Sequence, residues 1–130
     1  EQDYDRAQFN LGAMYEFGRG VPQDYAEALK WTILAAEQGY DLAQFKLGKM
    51  YEEGKGVPQD DAEALKWTIL AAEQGYDLAQ FKLGLMYEFG RGVPQDYAEA
   101  LKWHSLAADQ GNADAKSNKE ILEKELLNSK

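Results

Sequence analysis

Residues 40–75 read YDLAQFKLGKMYEEGKGVPQDDAEALKWTILAAEQG, and most of the chain repeats this stretch. Gly12, Gly48 and Gly84 are spaced by 36 residues, as are Pro22, Pro58 and Pro94, and Trp31, Trp67 and Trp103. Self-similarity at one period marks an array of stacked units, each a single supersecondary element. The expected organisation is one repeat domain over residues 1–130, with units at 4–39, 40–75 and 76–111 and a closing helix at 112–130.

Each unit carries the punctuation of two helices. In the middle copy Asp41 is the expected N-cap of the first, with Gln44 completing a capping box and Tyr40 and Phe45 placed as a hydrophobic staple. That helix is predicted over about 42–53, ending at Gly54 in the left-handed conformation. After the linker Gly54–Gln59, Asp60 caps a second helix over about 61–74, which stops at Gly75. The short link to the next helix forces antiparallel neighbours, so the unit is a helical hairpin. Apolar residues recur at helical spacing: Ala43, Leu47, Met50 and Tyr51 on one helix, Ala64, Trp67, Ala71 and Ala72 on the other. Gly48 costs about 1 kcal/mol against alanine inside a helix. Its recurrence predicts a close crossing of the two helices.

Composition narrows the function. Hydrophobic residues make up 45% and aromatic residues 12%, which excludes a disordered acidic tail. The net charge of −9 opposes binding to nucleic acid and to an anionic membrane surface, and favours a basic or neutral partner. With no cysteine there is neither a disulfide framework nor a thiolate metal site. No apolar run reaches the ~20 residues that span a bilayer, and EQDYDRAQ has no signal-peptide pattern. The compartment stays unread.

The ends depart from the pattern. Glu1-Gln2-Asp3 aligns with Glu37-Gln38-Gly39, which suggests the closing residues of a preceding unit. Arg6 stands in the column of Leu42 and Leu78, as suits an exposed end. At the other end KSNKEILEKELLNSK keeps one stripe, Leu122 and Leu126, with Glu120 and Lys124 as an i,i+4 pair. This predicts a capping helix with a polar outer face.

The pattern Leu47, Gly48, Tyr51, Gly54, Gly56, Val57, Asp60, Ala64, Trp67, Ala71, Ala72, Gly75, with its counterparts over residues 4 to about 115, resembles the Sel1-like repeat, a relative of the tetratricopeptide repeat. The resemblance implies an all-α, right-handed solenoid of antiparallel hairpins with the first helices lining its concave side. It also implies a non-catalytic role, holding other proteins together in signalling, quality-control or secretion-related complexes. Two departures stand out. Thr68-Ile69-Leu70 follows the tryptophan where the family carries tyrosine and basic residues, and the paired cysteines of one bacterial branch are absent.

Of the 36 columns, 27 are identical in all three copies, which points to recent duplication or consensus-style design. Among the nine that differ, four lie in the first helix: Arg6/Leu42/Leu78, Asn10/Lys46/Lys82, Ala13/Lys49/Leu85 and Phe17/Glu53/Phe89. Their spacings of 4, 3 and 4 place them on one helical stripe. The column Tyr25/Asp61/Tyr97 changes in step with Phe17/Glu53/Phe89, so the two should be neighbours across the linker. The expected function is a protein-interaction module whose groove has aromatic anchors on either side of a charged centre. The alternative is a structural spacer array with no specific ligand, weakly self-associating. Ile33 and Ile69, replaced by Ser105, either pack on the following unit or form that self-association patch beside Leu34 and Leu70.

Nothing in the chain forms a catalytic or cofactor constellation. His104, the only histidine, aligns with Thr32 and Thr68 and reads as a helix-surface residue. The acid pairs Glu52-Glu53 and Asp60-Asp61 lack calcium-loop spacing, and GRGVPQD lacks the lysine and hydroxyl of a phosphate loop. The methionines at 14, 50 and 86 read as core.

Overall fold

The computed structural model describes residues 2–129, with side chains from Tyr4 onward; Glu1 and Lys130 lie outside it. Seven helices follow one another: α1 (Gln2–Phe17), α2 (Tyr25–Glu37), α3 (Asp41–Glu53), α4 (Asp61–Glu73), α5 (Asp77–Phe89), α6 (Tyr97–Asp109) and α7 (Ala113–Asn128). Pairs α1/α2, α3/α4 and α5/α6 are hairpins, and each second helix also packs on the helix that follows it. The result is an all-α solenoid closed by α7.

The second helices begin as their sequence dictates. Asp60 takes an extended backbone, and its Oδ1 accepts from the N–H groups of Ala62 (3.0 Å) and Glu63 (3.1 Å). Two orphan donors of the first turn are thereby satisfied, which is worth about 1 kcal/mol per helix. Gly54 ends α3 at φ 71°, a conformation that costs a side-chain-bearing residue but not glycine.

The first helices begin differently from expectation. Tyr40, not Asp41, is the N-cap of α3, and it makes no side-chain capping bond. Asp41 sits one residue inside, accepting from the Leu42 N–H at 2.8 Å. Gln44 takes no part in a capping box. Its side chain is buried, donates to the Ala36 carbonyl at 3.3 Å and accepts from Gln74 Nε2 at 2.7 Å. Nor does Tyr40 staple its own helix: its ring meets Phe9 of the preceding hairpin edge-on at 5.4 Å, as Tyr76 meets Phe45 at 5.3 Å. The two-residue turn presses each helix start against the previous unit, and the aromatic partner nearest there is the neighbour's.

The glycine column is the crossing point. A Cβ on Gly48 would lie 2.8 Å from Thr68 Oγ1 and 3.2 Å from the Ala64 carbonyl oxygen. Thr68 is held there by donating to Ala64 O at 2.7 Å, a back-bond within its own helix. A second glycine serves the seam between units. A Cβ on Gly56 would lie 2.7 Å from the backbone oxygen of Tyr25, and one on Gly92 2.6 Å from that of Asp61. Trp67 reaches across the same seam into a cluster with Ala35, Ala36, Ala43 and Leu47. The alanines provide the space that the indole fills.

Both ends depart from the inner units. Gln2–Tyr4 are helical, whereas the aligned Gln38–Tyr40 form a turn with Gly39 at φ 93°. Asp3 replaces that glycine, so this stretch continues α1 instead of reproducing a unit's end. Met14 is 38% exposed, while its counterparts Met50 and Met86 are 2% exposed, Met86 packing against the alanines of the preceding α4. In α7 Ala115 and Leu122 keep the buried columns of Ala43 and Met50. Lys119 and Glu120 stand in the columns of Leu47 and Gly48. A glutamate thus stands in the column where the other first helices are crossed at glycine. The outer face of α7 is less polar than expected, since Ile121 and Leu127 are exposed.

Candidate functional site

The variable stripe runs along α1, α3 and α5 toward the linkers. Asn10 and Arg6 are exposed and Ala13 is half-buried on α1. On α3 Leu42 is half-buried, while Lys49 and Glu53 are exposed; on α5 Leu78 is exposed and Leu85 half-buried. Phe17 is 57% exposed and Phe89 65%, a large apolar area left in water at both ends of the stripe. Between α3 and α5 lies an open cavity of about 440 Å³, lined by Glu52, Lys82, Leu85, Met86, Phe89 and Arg91.

Two stripe residues have a structural partner. Lys46 Nζ lies 2.7 Å from Glu16 Oε1 on the preceding hairpin, and Lys82 Nζ lies 2.6 Å from Glu52 Oε1. These pairs clamp one unit to the next and are partly shielded from solvent, which makes them stronger than freely exposed pairs. The lysine column therefore both joins units and borders the groove. The partner glutamates, identical in every copy, were legible only as an invariant acidic column.

The linkers tie the stripe to the second helices. Gln23 Nε2 donates to the Glu16 carbonyl at 2.9 Å and to the Tyr25 hydroxyl at 3.4 Å. Gln95 repeats this with Glu88 O at 2.8 Å and Tyr97 at 3.3 Å, and Gln59 donates to Asp61 Oδ1 at 3.4 Å. In the outer copies the glutamine thus links the end of the first helix to the tyrosine that changes in step with it, and in the middle copy it bonds to the aspartate of that column. Cations gather on the aromatic residues: Lys46 Nζ is 5.2 Å and the Arg19 guanidinium 5.6 Å from the Phe17 ring centre, and Lys55 Nζ is 6.0 Å from that of Tyr25.

His104 is not a surface residue. It is fully buried, because its column faces the glycine column at the hairpin crossing. A Cβ on Gly84 would lie 2.5 Å from the imidazole, so the larger ring occupies the place where Thr68 meets Gly48. Its Nε2 is 3.1 Å from Glu88 Oε1, and Nδ1 has no hydrogen-bond partner. Burial lowers the imidazole pKa from its ordinary value, and the bond to Glu88 and that carboxylate's charge oppose the shift. Glu88 needs this partner. The lysine that would reach it from the next helix is Asn118.

Ile33 and Ile69 pack against the clusters of their seams, which favours the packing role for that column. Among the described residues there is no cluster of His, Asp and Glu able to hold a metal ion, and no helix long and apolar enough to cross a membrane.

Comparison with known proteins agrees with this architecture. The Sel1 repeat model matches residues 5–40, 41–76 and 77–112. The c5321 protein, a protective antigen present in uropathogenic Escherichia coli strains and displaying an SLR fold, is 50% identical, with a TM-score of 0.84 over 88% of this chain and 25% of that one. A Sel1 repeat protein from Oxalobacter formigenes is 38% identical, with a TM-score of 0.89 over 92% of this chain and 49% of its own. Helicobacter pylori cysteine rich protein B shares the fold at 23% identity and a TM-score of 0.74, over 88% of this chain and 89% of its own. The chain thus spans a quarter of the first structure and about half of the second. No curated protein sequence matches it. Sel1 repeats are commonly protein–protein interaction modules and generally non-catalytic scaffolds. With three successive matches falling on three stacked hairpins, this chain belongs to the Sel1 repeat family.

Proposed function

We propose that the chain is a non-catalytic interaction module that receives a segment of a partner protein along the first helices α1, α3 and α5. One observation carries this reading: the four first-helix columns that differ between nearly identical units fall on a single stripe, and that stripe leaves Phe17 and Phe89 in water. Exposed aromatic rings beside a concave surface are the usual anchors of binding energy, whereas the repeated columns are spent on packing. The middle unit puts Lys49 and Glu53 between the two rings, so the groove has apolar ends and a charged centre.

A Phe17→Ser/Phe89→Ser variant tests this. Neither ring is in a core cluster, so the variant should keep its helical circular dichroism and its melting temperature within a few degrees. Proteins retained by the immobilised wild type from lysate should be lost by the variant, and a purified one should bind at least about tenfold more weakly. Retention of the same set by both forms would remove the groove.

A further inference from the structure

The net charge of −9 favours a basic partner, and the first helices with their linkers carry eleven acids, but the cations there stand in particular places. Of the 14 lysines and arginines, seven lie on α1, α3, α5 and the linkers that follow them. The second helices α2, α4 and α6 carry three lysines against seven acids. Three acids near the stripe are paired with cations, Glu16 with Lys46, Glu52 with Lys82 and Arg91, and Glu53 with Lys55; Glu88 is hydrogen-bonded to His104, and Asp24, Asp60 and Asp96 are turned to capping the second helices. The aspartates at the starts of the first helices lie about 18 Å away along the helix from the phenylalanine end, at 1.5 Å per residue.

Four of these cations lie beside the exposed rings. Arg19 and Lys46 flank Phe17, and of the two Lys46 is paired with a carboxylate, Glu16. Lys82 and Arg91 border the cavity at Phe89 and share Glu52, with the Arg91 side chain 63% exposed. Each aromatic anchor thus has two cations to one acid. A guanidinium that gives one edge to Glu52 keeps further N–H donors for an incoming carboxylate.

We infer that the groove takes an acidic segment that also carries apolar side chains: carboxylates meet Arg19 with Lys46 and Arg91 with Lys82, and apolar groups rest on Phe17, Phe89 and Leu85. This rests on the groove proposed above and reverses the partner charge that composition suggests. The acidic second helices repel such a segment from the opposite side of the hairpins, so the charge distribution also selects the face.

The test uses two short labelled peptides of equal length, one alternating glutamate and leucine, the other lysine and leucine, followed by fluorescence anisotropy. The proteins are the wild type, Arg19→Glu/Arg91→Glu and Phe17→Ser/Phe89→Ser, each checked by circular dichroism. The glutamate peptide should bind the wild type and weaken about tenfold in either variant, and about tenfold between about 50 mM and about 500 mM NaCl. The lysine peptide should be indifferent to both variants, since its complement is the acidic second-helix face. No binding of the glutamate peptide, or binding unchanged by Arg19→Glu/Arg91→Glu, overturns the inference. If instead the lysine peptide depends on Phe17 and Phe89, the groove stands and its occupant is basic. If neither peptide depends on those rings, the groove itself falls.

Discussion

The seam between the first and second hairpins and the seam between the second and third are packed alike and finished differently. In both, a tryptophan inserts among the preceding unit's alanines and a linker glycine touches the backbone of the preceding second helix. Both are clamped by a glutamate–lysine pair, at 2.7 Å and 2.6 Å. At the surface they part. Lys55 has an acid on its own helix and lies 3.6 Å from Glu53. Arg91 finds Phe89 in that place and reaches back 3.2 Å to Glu52 on the neighbouring unit. Two differences, Glu53 against Phe89 and Lys55 against Arg91, thus accompany a redirected cation and an apolar wall. Packing columns cannot drift without losing the stack, while columns on the rim can change chemistry unit by unit.

The largest test of the shared part is the glycine column. Gly48→Leu should cost about 3 kcal/mol by overpacking the crossing, whereas Lys49→Leu should shift stability by no more than about 0.5 kcal/mol. Equal melting temperatures would break the crossing argument. Alanine sharpens it, because its helix propensity offsets part of the clash. The nearest side-chain atom to the new Cβ is at 3.0 Å for Gly12, 2.8 Å for Gly48 and 2.5 Å for Gly84. Stability should fall in that order under thermal melting, with Gly84→Ala the worst.

A smaller effect separates the third hairpin from the other two. His104 has a lowered pKa in the folded state, so between that value and the unfolded 6.5 the unfolded chain binds more protons. Stability from this site is full above pH 6.5 and is lost as pH falls through that window toward the folded pKa. Glu88, the carboxylate bonded to the ring, reduces the effect by favouring the cation. His104→Thr restores the residue of the other copies and should flatten the melting temperature against pH below 6.5. An unchanged slope would show that the ring titrates freely.

The smallest difference concerns the clamps. Glu52→Gln should cost about 1 kcal/mol, and Glu16→Gln a few tenths less, because Glu52 also holds Arg91. Denaturant titration in about 0.5 M NaCl should erase that difference, since the exposed Arg91 is the more screened partner.

Much of the fold was legible because it is local. Asp60 caps, Gly54 turns and Gly48 crosses for reasons carried by those residues and repeated three times. The misreadings share one cause: the residues answered to a neighbour rather than to their own helix. Gln44 has the spacing of a capping box but bonds to Gln74, thirty residues away. Tyr40 has the place of a staple but stacks on Phe9. His104 aligns with threonine, which suggests surface until Thr68 is seen wedged against Gly48. The stripe itself was visible in the comparison of copies, but the pairing of its lysines was not, since counting charges ignores which side chains meet.

By itself the sequence determined the period, the hairpin, the crossing glycine and the columns free to vary, because helix signals and steric limits act over a few residues. Only the tertiary structure decided that the lysine column clamps adjacent units, that His104 bonds to Glu88, and that cations gather beside the exposed rings of an acidic chain. Those depend on which side chains of different hairpins come within bonding distance, and a one-dimensional alignment of copies holds no distances between them.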